Sequence, residues 1–465
     1  MRRAVGGKRN AKVIGQVRKP KPSLKDNPWG LKLLDDPSLA ADVNYSRDQL
    51  VTKTRGNSLC ATCKGGKFLC GKTRCPLVVR FSSYFRSIPL LQGTDLDGAC
   101  PPGVFVGRIG YPYVYAGPLV PPIHEDTSLY DLPEAWFGKS IDEIVGFRSL
   151  LVRGKHRVHV KKFEESGKIM DQTIDLALSV NPVDVELNLK KKPAAALVLD
   201  DQIQPFGPSA LLRNMRVSNS RWDHHIQKAY FDDDLKASEA VTTLFQKGTM
   251  VTKIQRAFSV GAFGMKKQRR LVPTRWSITA VDSMRARISK EIMEKIKTFP
   301  EINEYRVYES RYLDNRFEVL MMPREWSYEA MEAWYPGTVW NPSDRNILLF
   351  GDWEGFGGRS TYASIGGCYY AARLAVGELL MKERRQASVV VLREAHPGYI
   401  MPVGVWQVRE NVRNALRQKP LKYNTFGEAL TRIGSQFQIP MRQWIEKSSL
   451  LRNTLFQRRI TEFLF

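Results

Sequence analysis

The chain has 465 residues, 43% of them hydrophobic, and its 71 Lys and Arg against 47 Asp and Glu give a net charge of +24. This length predicts two or three domains with a sizeable core. No run approaches the ~18 consecutive apolar residues of a membrane span, and the N-terminus lacks the apolar region of a signal peptide. We therefore expect an intracellular protein without a membrane anchor, whose charge favours polyanionic partners such as nucleic acids.

The first 58 residues are predicted to form a basic flexible arm and linker. Residues 1–25 hold nine basic residues and no acidic one, and Gly6, Gly7, Pro20 and Pro22 interrupt the segment. Such a composition disfavours a stable helix. Three interpretations stay open: an arm that touches a nucleic-acid backbone, a transit peptide, or a solubilising tail.

Four of the six cysteines follow the arm within sixteen residues, in the pattern C-x2-C-x6-C-x4-C. Tetrahedral zinc binds four thiolates, so a C4-type zinc finger over residues 59–76 is predicted, with the ligands Cys60, Cys63, Cys70 and Cys75. Its role would be structural because no ligand position is left open for catalysis. Two disulfides or an iron–sulfur cluster are the alternatives. The separate Cys100 and Cys368 are predicted to be buried.

Residues 77–333 are predicted to form a mixed α/β domain. Tyr111, Tyr113 and Tyr115 alternate, so on a strand they would share one face, either to stack bases or to pack internally. Alternating apolar residues over 174–180 and 183–189 predict two adjacent strands. One helix is expected to begin at Leu211, and another at Asp282.

Two stretches of this domain carry candidate functional residues. Asp223, His224 and His225, followed by three aspartates at 232–234, suggest either a metal or proton-transfer site or helix caps, and capping requires fewer assumptions. The basic stretch over 266–276 is the best internal nucleic-acid or nucleotide site, because Arg pairs with phosphate and Trp stacks on bases. A basic surface loop beside a buried Trp is the alternative. The predicted binding residues are Lys266, Lys267, Arg269, Arg270, Arg275 and Trp276, and the pocket candidates for catalysis are Asp223, Arg275 and Asp282.

Residues 334–450 are predicted to form a second, mainly helical C-terminal domain. A glycine-rich loop over 352–360 precedes a core helix over 362–384 and is a weak candidate for a phosphate site. One strand is expected over Val389–Leu392, and further helices are expected near 407–417, 426–437 and 441–458. The predicted fold class is thus α+β: a mixed α/β multi-domain protein with a small N-terminal zinc module and a helical C-terminal region.

Residues 451–465 are predicted to be a helix end that continues into an apolar hook. At helical spacing, Ile460, Phe463 and Leu464 lie on one side, and Phe465 adds a ring at the terminus. The hook resembles a PCNA-interacting (PIP) box, Gln-x-x-aliphatic-x-x-aromatic-aromatic, with Leu464 in place of the second aromatic residue. The alternative is a tail packed into the protein's own core. The predicted clamp-binding residues are Gln457, Ile460, Phe463, Leu464 and Phe465.

The cysteine cluster, the long mixed body and the terminal box together resemble the archaeal DNA repair protein NreA (Nre) family. Asp234-Leu235-Lys236-Ala237 and the stretch 272–279 are similar to signature stretches of that family. The resemblance covers nearly everything from Cys60 onward, with a boundary near residue 333. It implies DNA damage repair, a C4-type zinc finger, binding to the PCNA sliding clamp, and a cytoplasmic, nucleoid-associated location.

Two other functions stay open at this point. One is a nucleotide- or DNA-processing enzyme of the hydrolase class, with a pocket around Arg275. The other is an RNA-binding or translation factor, for which the basic arm and the cysteine module would serve equally well. The patterns do not decide whether the chain is an enzyme.

Overall fold

The computed structural model describes residues 59–63, 65–91, 93–194, 205–338, 340–341 and 346–456. Within these ranges only the backbone is described for Leu59, Ala61, Thr279 and residues 282–291. All of the predicted basic arm and linker (1–58) and all of the clamp-binding residues from Gln457 onward lie outside the described residues. In the described part of the chain, no helix is both long enough and apolar enough to cross a membrane.

The first half of the chain forms a six-stranded sheet. Its strand order is β1-β5-β6-β4-β3-β2, with β1 (Asp95–Cys100), β2 (Val104–Val106), β3 (Tyr113–Val120), β4 (Val152–His159), β5 (Val183–Leu189) and β6 (Ser209–Val217). Only β4 and β6 pair in parallel. In β5, buried Val183, Val185 and Leu187 alternate with polar residues, which confirms the predicted strand over 183–189. The alternation implies one face against the core and one toward water.

Helices cover the inner face of this first sheet. The helices of this half are α1 (Leu59–Cys63), α2 (Pro76–Ser87), α3 (Ile141–Leu150), α4 (Lys168–Leu178), α5 (His224–Phe231), α6 (Ala237–Gln246), α7 (Val251–Ser259) and α8 (Thr274–Ile296). Ile174 of α4, Leu244 of α6 and Ile254 of α7 belong to the same buried cluster as Val114 of β3 and Val185 of β5. On the outer face of the sheet, Asp97, Tyr113 and Arg157 are exposed, whereas Lys155 is buried. Cys100 and Cys368 are both buried, as predicted, with exposed fractions of 0% and 6%.

Two predicted elements of this half were wrong, and each for a local reason. Residues 174–178 belong to helix α4, whose end is buried on all sides, so Leu176 and Leu178 are buried without forming a strand. Leu211 lies in strand β6 rather than at the start of a helix. A bulge opposite Asn188 and Leu189 interrupts the strand. At this point two successive buried residues, Leu212 and Met215, are three positions apart instead of two. Helix α8 also begins earlier than predicted, at Thr274 instead of Asp282.

The second half forms another six-stranded sheet, of order β10-β9-β11-β8-β7-β12. Its strands are β7 (Tyr305–Tyr312), β8 (Asn315–Met322), β9 (Ser327–Trp334), β10 (Leu348–Glu354), β11 (Ser388–Ala395) and β12 (Leu421–Tyr423). Neighbours are antiparallel except β9 and β11. Strands from both sides of residue 333 build this one sheet. The predicted strand over Val389–Leu392 is confirmed as part of β11, and the mainly helical region also contributes β10 and β12.

Helices cover both faces of the second sheet. They are α9 (Gly367–Glu383), α10 (Trp406–Arg417), α11 (Phe426–Gln436), α12 (Met441–Lys447) and α13 (Ser449–Phe456). One face packs against α9 and α10, and the other against α11, α12 and α13. All eight residues of β11 are buried, as expected for a strand covered on both sides. The helix predicted over 441–458 is divided at Ser448 into α12 and α13.

The two halves pack against each other. The hydroxyl of Tyr312 donates a hydrogen bond to the carbonyl oxygen of Lys139, with 2.6 Å between the oxygens. The rings of Trp136 and Trp406 meet edge-on with centroids 5.4 Å apart. These contacts join the segment before α3 to β7 and α10, and so they fix the two sheets relative to each other.

Candidate functional site

Strands β3 and β4 place polar and aromatic side chains on the outer, solvent-facing side of the first sheet. Tyr113 lies directly opposite His159, and Tyr115 lies opposite Arg157. Side chains that are directly opposite across an antiparallel pair share one face. The intervening residue Val114 is fully buried on the inner face. The four side chains are therefore held on the outer face by the register of the two strands.

Cations and rings are in contact on this face. The guanidinium carbon of Arg157 lies 5.5 Å from the centroid of the Tyr113 ring, and Lys155 Nζ lies 5.7 Å from that of Tyr115. The His159 ring meets the Tyr113 ring edge-on at 4.9 Å. Attraction between a cation and the face of a ring stabilises each pair. The register and these contacts together make the position of each ring definite.

Trp276 extends the surface beyond the edge of the sheet. Its ring centroid lies 5.6 Å from that of Tyr111. The start of α8 is held at this edge because the N–H of Val106 donates to Thr274 Oγ1 at 2.8 Å. The exposed fractions are 47% for Tyr111, 52% for Tyr113 and 42% for Trp276, so each can still contact a ligand. We call this surface the aromatic–basic face; it consists of Tyr111, Tyr113, Tyr115, Lys155, Arg157, His159 and Trp276.

The aromatic–basic face unites two stretches that the sequence presented separately, the tyrosines near 111–115 and the Trp of the 266–276 stretch. Its basic members on β4 were not among the predicted binding residues. The sequence does contain a pattern that indicates them, since Lys155, Arg157 and His159 alternate with Gly154, His156 and Val158. Basic residues at a spacing of two on a strand all lie on one face.

The opposite side of the same outer face is acidic. Asp97 lies opposite Glu186 in the pairing of β1 with β5, and Asp184 follows on the same side of β5. His124 Nε2 lies 3.2 Å from an oxygen of Asp97. Glu186 also lies 3.7 Å from Arg216 of β6, so the carboxylates on β1 and β5 have basic partners on this face.

The predicted basic stretch 266–276 is divided by the fold. Arg269 is buried: its Nε donates to the carbonyl oxygen of Gly264 at 2.8 Å, and its Nη2 donates to that of Asp232 at 2.9 Å. Arg269 is thus a structural residue, which removes it from the predicted binding set. Lys266 lies 3.5 Å from an Asp233 oxygen, and three of the predicted basic residues are exposed, namely Lys266, Lys267 and Arg270. Arg275 is partly buried.

Among the described side chains, no contact joins the predicted catalytic candidates into one catalytic group. The carboxylate of Asp223 accepts hydrogen bonds from the N–H groups of His225 and Ile226, at 3.0 and 3.2 Å, and so caps helix α5. Arg275 and Asp282 are seven residues apart on α8, about two helical turns. The side chain of Asp282 lies outside the described residues. For Asp223 the contacts agree with the capping interpretation.

The glycine-rich loop over 352–360 is closed by its own side chains. Asp352 Oδ2 accepts from Arg359 Nη2 at 2.8 Å and from the N–H of Ser364 at 2.7 Å. Helix α9 begins only at Gly367. The N–H group of Ser364, which lies three residues before the helix, is therefore already bonded to a carboxylate of the protein.

The four clustered cysteines line one small pocket. Cys60, Cys63, Cys70 and Cys75 surround it together with Gly65, Pro76 and Leu77. No disulfide joins any of them. Backbone hydrogen bonds, first that of Leu69, lower the pKa of the Cys63 thiol. In the described residues, however, no three or more His, Cys, Asp or Glu side chains are arranged as a metal-binding group. Cysteine thiolates are suitable zinc ligands, but the structure does not arrange these four sulfurs as a metal-binding group.

The module carrying this pocket is attached firmly to both halves of the protein. Both terminal nitrogens of Arg74 donate to the Asp142 carboxylate of α3, each at 2.8 Å. On the other side, Gly337 approaches the backbone of Cys70 so closely that an added Cβ would lie 2.9 Å from its carbonyl oxygen. The cysteine module is thus packed onto the body.

The last helix leads from the core to the surface. Leu450 and Leu451 at its start are buried, whereas Leu455 is 44% exposed and Phe456 is 77% exposed. The described part of the chain therefore ends at an exposed residue.

The fold and these sites define a two-sheet α+β protein with a cysteine module and an outward-facing aromatic–basic surface. The family described as "Archaeal Nre, N-terminal" matches residues 69–341, and "Archaeal Nre, C-terminal" matches residues 354–463. The chain therefore belongs to the archaeal Nre family, as the resemblance of its motifs to that family predicted.

Named relatives are similar over most of the chain. DNA repair protein NreB of Archaeoglobus fulgidus is 39% identical over 87% of this chain and 100% of its own length. DNA repair protein NreA of the same organism is 38% identical, over 80% of this chain and 92% of its own. NreA of Haloferax volcanii is 34% identical, over 77% and 87% respectively. No solved structure matches the chain significantly.

Proposed function

We propose that this protein acts in DNA damage repair at the chromosome while it is tethered to the PCNA sliding clamp through residues 457–465. The single observation that carries the tether is the exposed end of α13: Phe456 is 77% exposed, although Leu451 is buried only five residues earlier. A chain that leaves the body at such a point can present Ile460 and Phe463 to a pocket of a partner. The names of the relatives support the repair role.

Tethering has a direct physical consequence for a DNA-binding protein. A clamp that encircles DNA raises the effective concentration of its ligand at DNA without any new contact. The net charge of +24 adds a general attraction to phosphates. In this proposal Lys266, Lys267 and Arg270 contribute to DNA contact, together with Arg275 and Trp276.

A structural zinc ion held by Cys60, Cys63, Cys70 and Cys75 is the second part of the proposal. The shared pocket and the absence of a disulfide among these cysteines support it. Binding would draw the four sulfurs to about 2.3 Å from the ion. The ion would then stabilise the module between Asp142 and Gly337.

The tether is tested by measuring the affinity of the full-length protein for an archaeal PCNA by calorimetry. We expect Ile460→Ala with Phe463→Ala, or deletion of 460–465, to abolish binding, because apolar anchors dominate such interfaces. Phe456→Ala is the matched control, since it removes an exposed ring outside the box and should leave the affinity within about twofold. Undiminished binding by the double variant would refute the tether.

A further inference from the structure

We infer that the aromatic–basic face is a binding site for one unpaired strand of DNA, whose bases stack on Tyr111, Tyr113 and Trp276. This inference rests on the proposed function in DNA repair and names the form of DNA that the protein takes. The exposed fractions of the three rings, 42–52%, leave each ring with surface that a base can cover. Aromatic rings that are half exposed on a sheet are the stacking platforms of single-strand binding proteins.

The rings decide between single-stranded and double-stranded DNA. In a duplex, the faces of the bases are covered by their neighbours in the stack, so a ring on a protein surface cannot reach them. In an unpaired strand the faces are accessible, and every base offers one. Exposed rings on a sheet therefore gain affinity from an unpaired strand and little from a duplex, which a basic surface would bind through phosphates alone.

The distribution of charge gives the strand a path. Arg157 is exposed beside Tyr113 and can contact a phosphate on one side of that ring. On the same outer face, the carboxylates of Asp97 and Glu186 on β1 and β5 already contact His124 and Arg216. The strand therefore follows the exposed rings and Arg157 along β3 and β4 toward Trp276.

The platform is also held in place before any ligand binds. The Tyr113 ring contacts the cation of Arg157 and the ring of His159 and still keeps 52% of its surface exposed, and Thr274 holds the start of the Trp276 helix against Val106. Side chains that are already ordered lose little entropy on binding. Rigid placement thus favours a stacking function over a loose, charge-only contact.

The inference is tested by fluorescence anisotropy with the full-length protein and two labelled probes: a 20-nucleotide oligothymidine and a 20-base-pair duplex. Since stacking on one ring contributes on the order of tenfold in affinity, Tyr113→Ala and Trp276→Ala should each weaken oligothymidine binding by about that factor. Duplex binding should change by less than about twofold, because phosphate contacts are retained. Phe231→Ala is the matched control, since Phe231 is 67% exposed but lies outside the face.

Two further variants separate stacking from charge and from misfolding. Tyr113→Phe keeps the ring and should bind oligothymidine like the unaltered protein, even if Tyr113→Ala is poorly folded. Arg157→Gln should reduce the slope of log affinity against log salt by about 0.7, the value for one phosphate of a single strand. The slope should be unchanged in Tyr113→Phe.

Several results would overturn the inference. These are equal losses for the two DNA probes in Tyr113→Ala, an undiminished affinity in both alanine variants, or tighter binding of oligouridine than of oligothymidine. Clamp affinity, measured in the same variants, keeps the two proposals apart. If clamp binding persists while oligothymidine is not bound, the strand site is wrong and the tether stands; the reverse result refutes the tether alone.

Discussion

The carboxylate of Glu329 accepts a hydrogen bond from the backbone N–H of Leu450, with 2.9 Å between nitrogen and oxygen. It also accepts from the N–H of Ser449 at 2.8 Å and from the hydroxyl of Ser448. Glu329 is buried on β9, so a strand in the middle of the chain holds the first turn of the final helix. The point from which the C-terminal tail begins is thereby fixed to the second sheet.

The first prediction concerns this cap. Glu329→Ala should lower the free energy of unfolding by about 1–3 kcal/mol, because two buried N–H groups lose their acceptor. Glu329→Gln should lose less, since its amide oxygen can still accept. Urea unfolding followed by circular dichroism measures the change. Glu446→Ala alters an exposed glutamate paired with Arg442 and should have an effect below about 0.5 kcal/mol. Equal stability of Glu329→Ala and Glu446→Ala would contradict the role of the cap.

The second prediction concerns pH. Burial, and next the charge of Glu309, raise the pKa of Glu318 to about 8, from an ordinary value of 4.5. Between these values the folded protein binds a proton that the unfolded chain does not bind. Stability contributed by this group is therefore lost as the pH rises from about 4.5 to about 8.

Glu318→Gln removes that titration. Relative to the unaltered protein, the variant should gain on the order of 4 kcal/mol when the pH is raised from 5 to 8.5. Thermal unfolding at closely spaced pH values measures the difference. Glu325, which is exposed, provides the control in Glu325→Gln. A pH profile of Glu318→Gln parallel to that of the unaltered protein would show that Glu318 does not titrate in this range.

The third prediction concerns a buried ion pair. Asp131 Oδ1 lies 3.0 Å from Arg148 Nη1, and its Oδ2 lies 2.9 Å from Arg256 Nη2. Asp131→Asn should destabilise the protein by about 3–5 kcal/mol, because the buried Arg256 loses its negative partner. Asp142→Asn breaks an exposed pair with Arg74 and should cost less than about 1 kcal/mol. Guanidinium unfolding of both variants checks the contrast, and similar losses would refute it.

The fourth prediction concerns metal. Elemental analysis of the purified protein should find one zinc per chain, and Cys63→Ser should lower the zinc content and the melting temperature together. Cys100→Ala is the control, because burial raises the pKa of the Cys100 thiol to about 12 and keeps it protonated. It should retain its zinc. Iron in place of zinc, or an unchanged zinc content in Cys63→Ser, would contradict the prediction.

Features that depend on neighbours in the chain could be predicted from the sequence. The alternation of Val183, Val185 and Leu187 predicted strand β5, because a strand buried on one face repeats every two residues. The pattern failed where burial was complete or the strand was irregular. Leu176 and Leu178 were misleading because the end of α4 is buried all round, and the helix predicted from Leu211 was wrong because a bulge interrupts the alternation of strand β6.

The sequence by itself determined the family, the net charge of +24, and the cysteine and tail motifs whose residues are close together in the chain. Only the tertiary structure decided that Trp276 meets Tyr111, that Arg269 is buried, and that Glu329 caps the last helix. The physical reason is that these contacts join residues far apart in the chain. They depend on the path of the backbone through two sheets, which no local pattern of residues specifies.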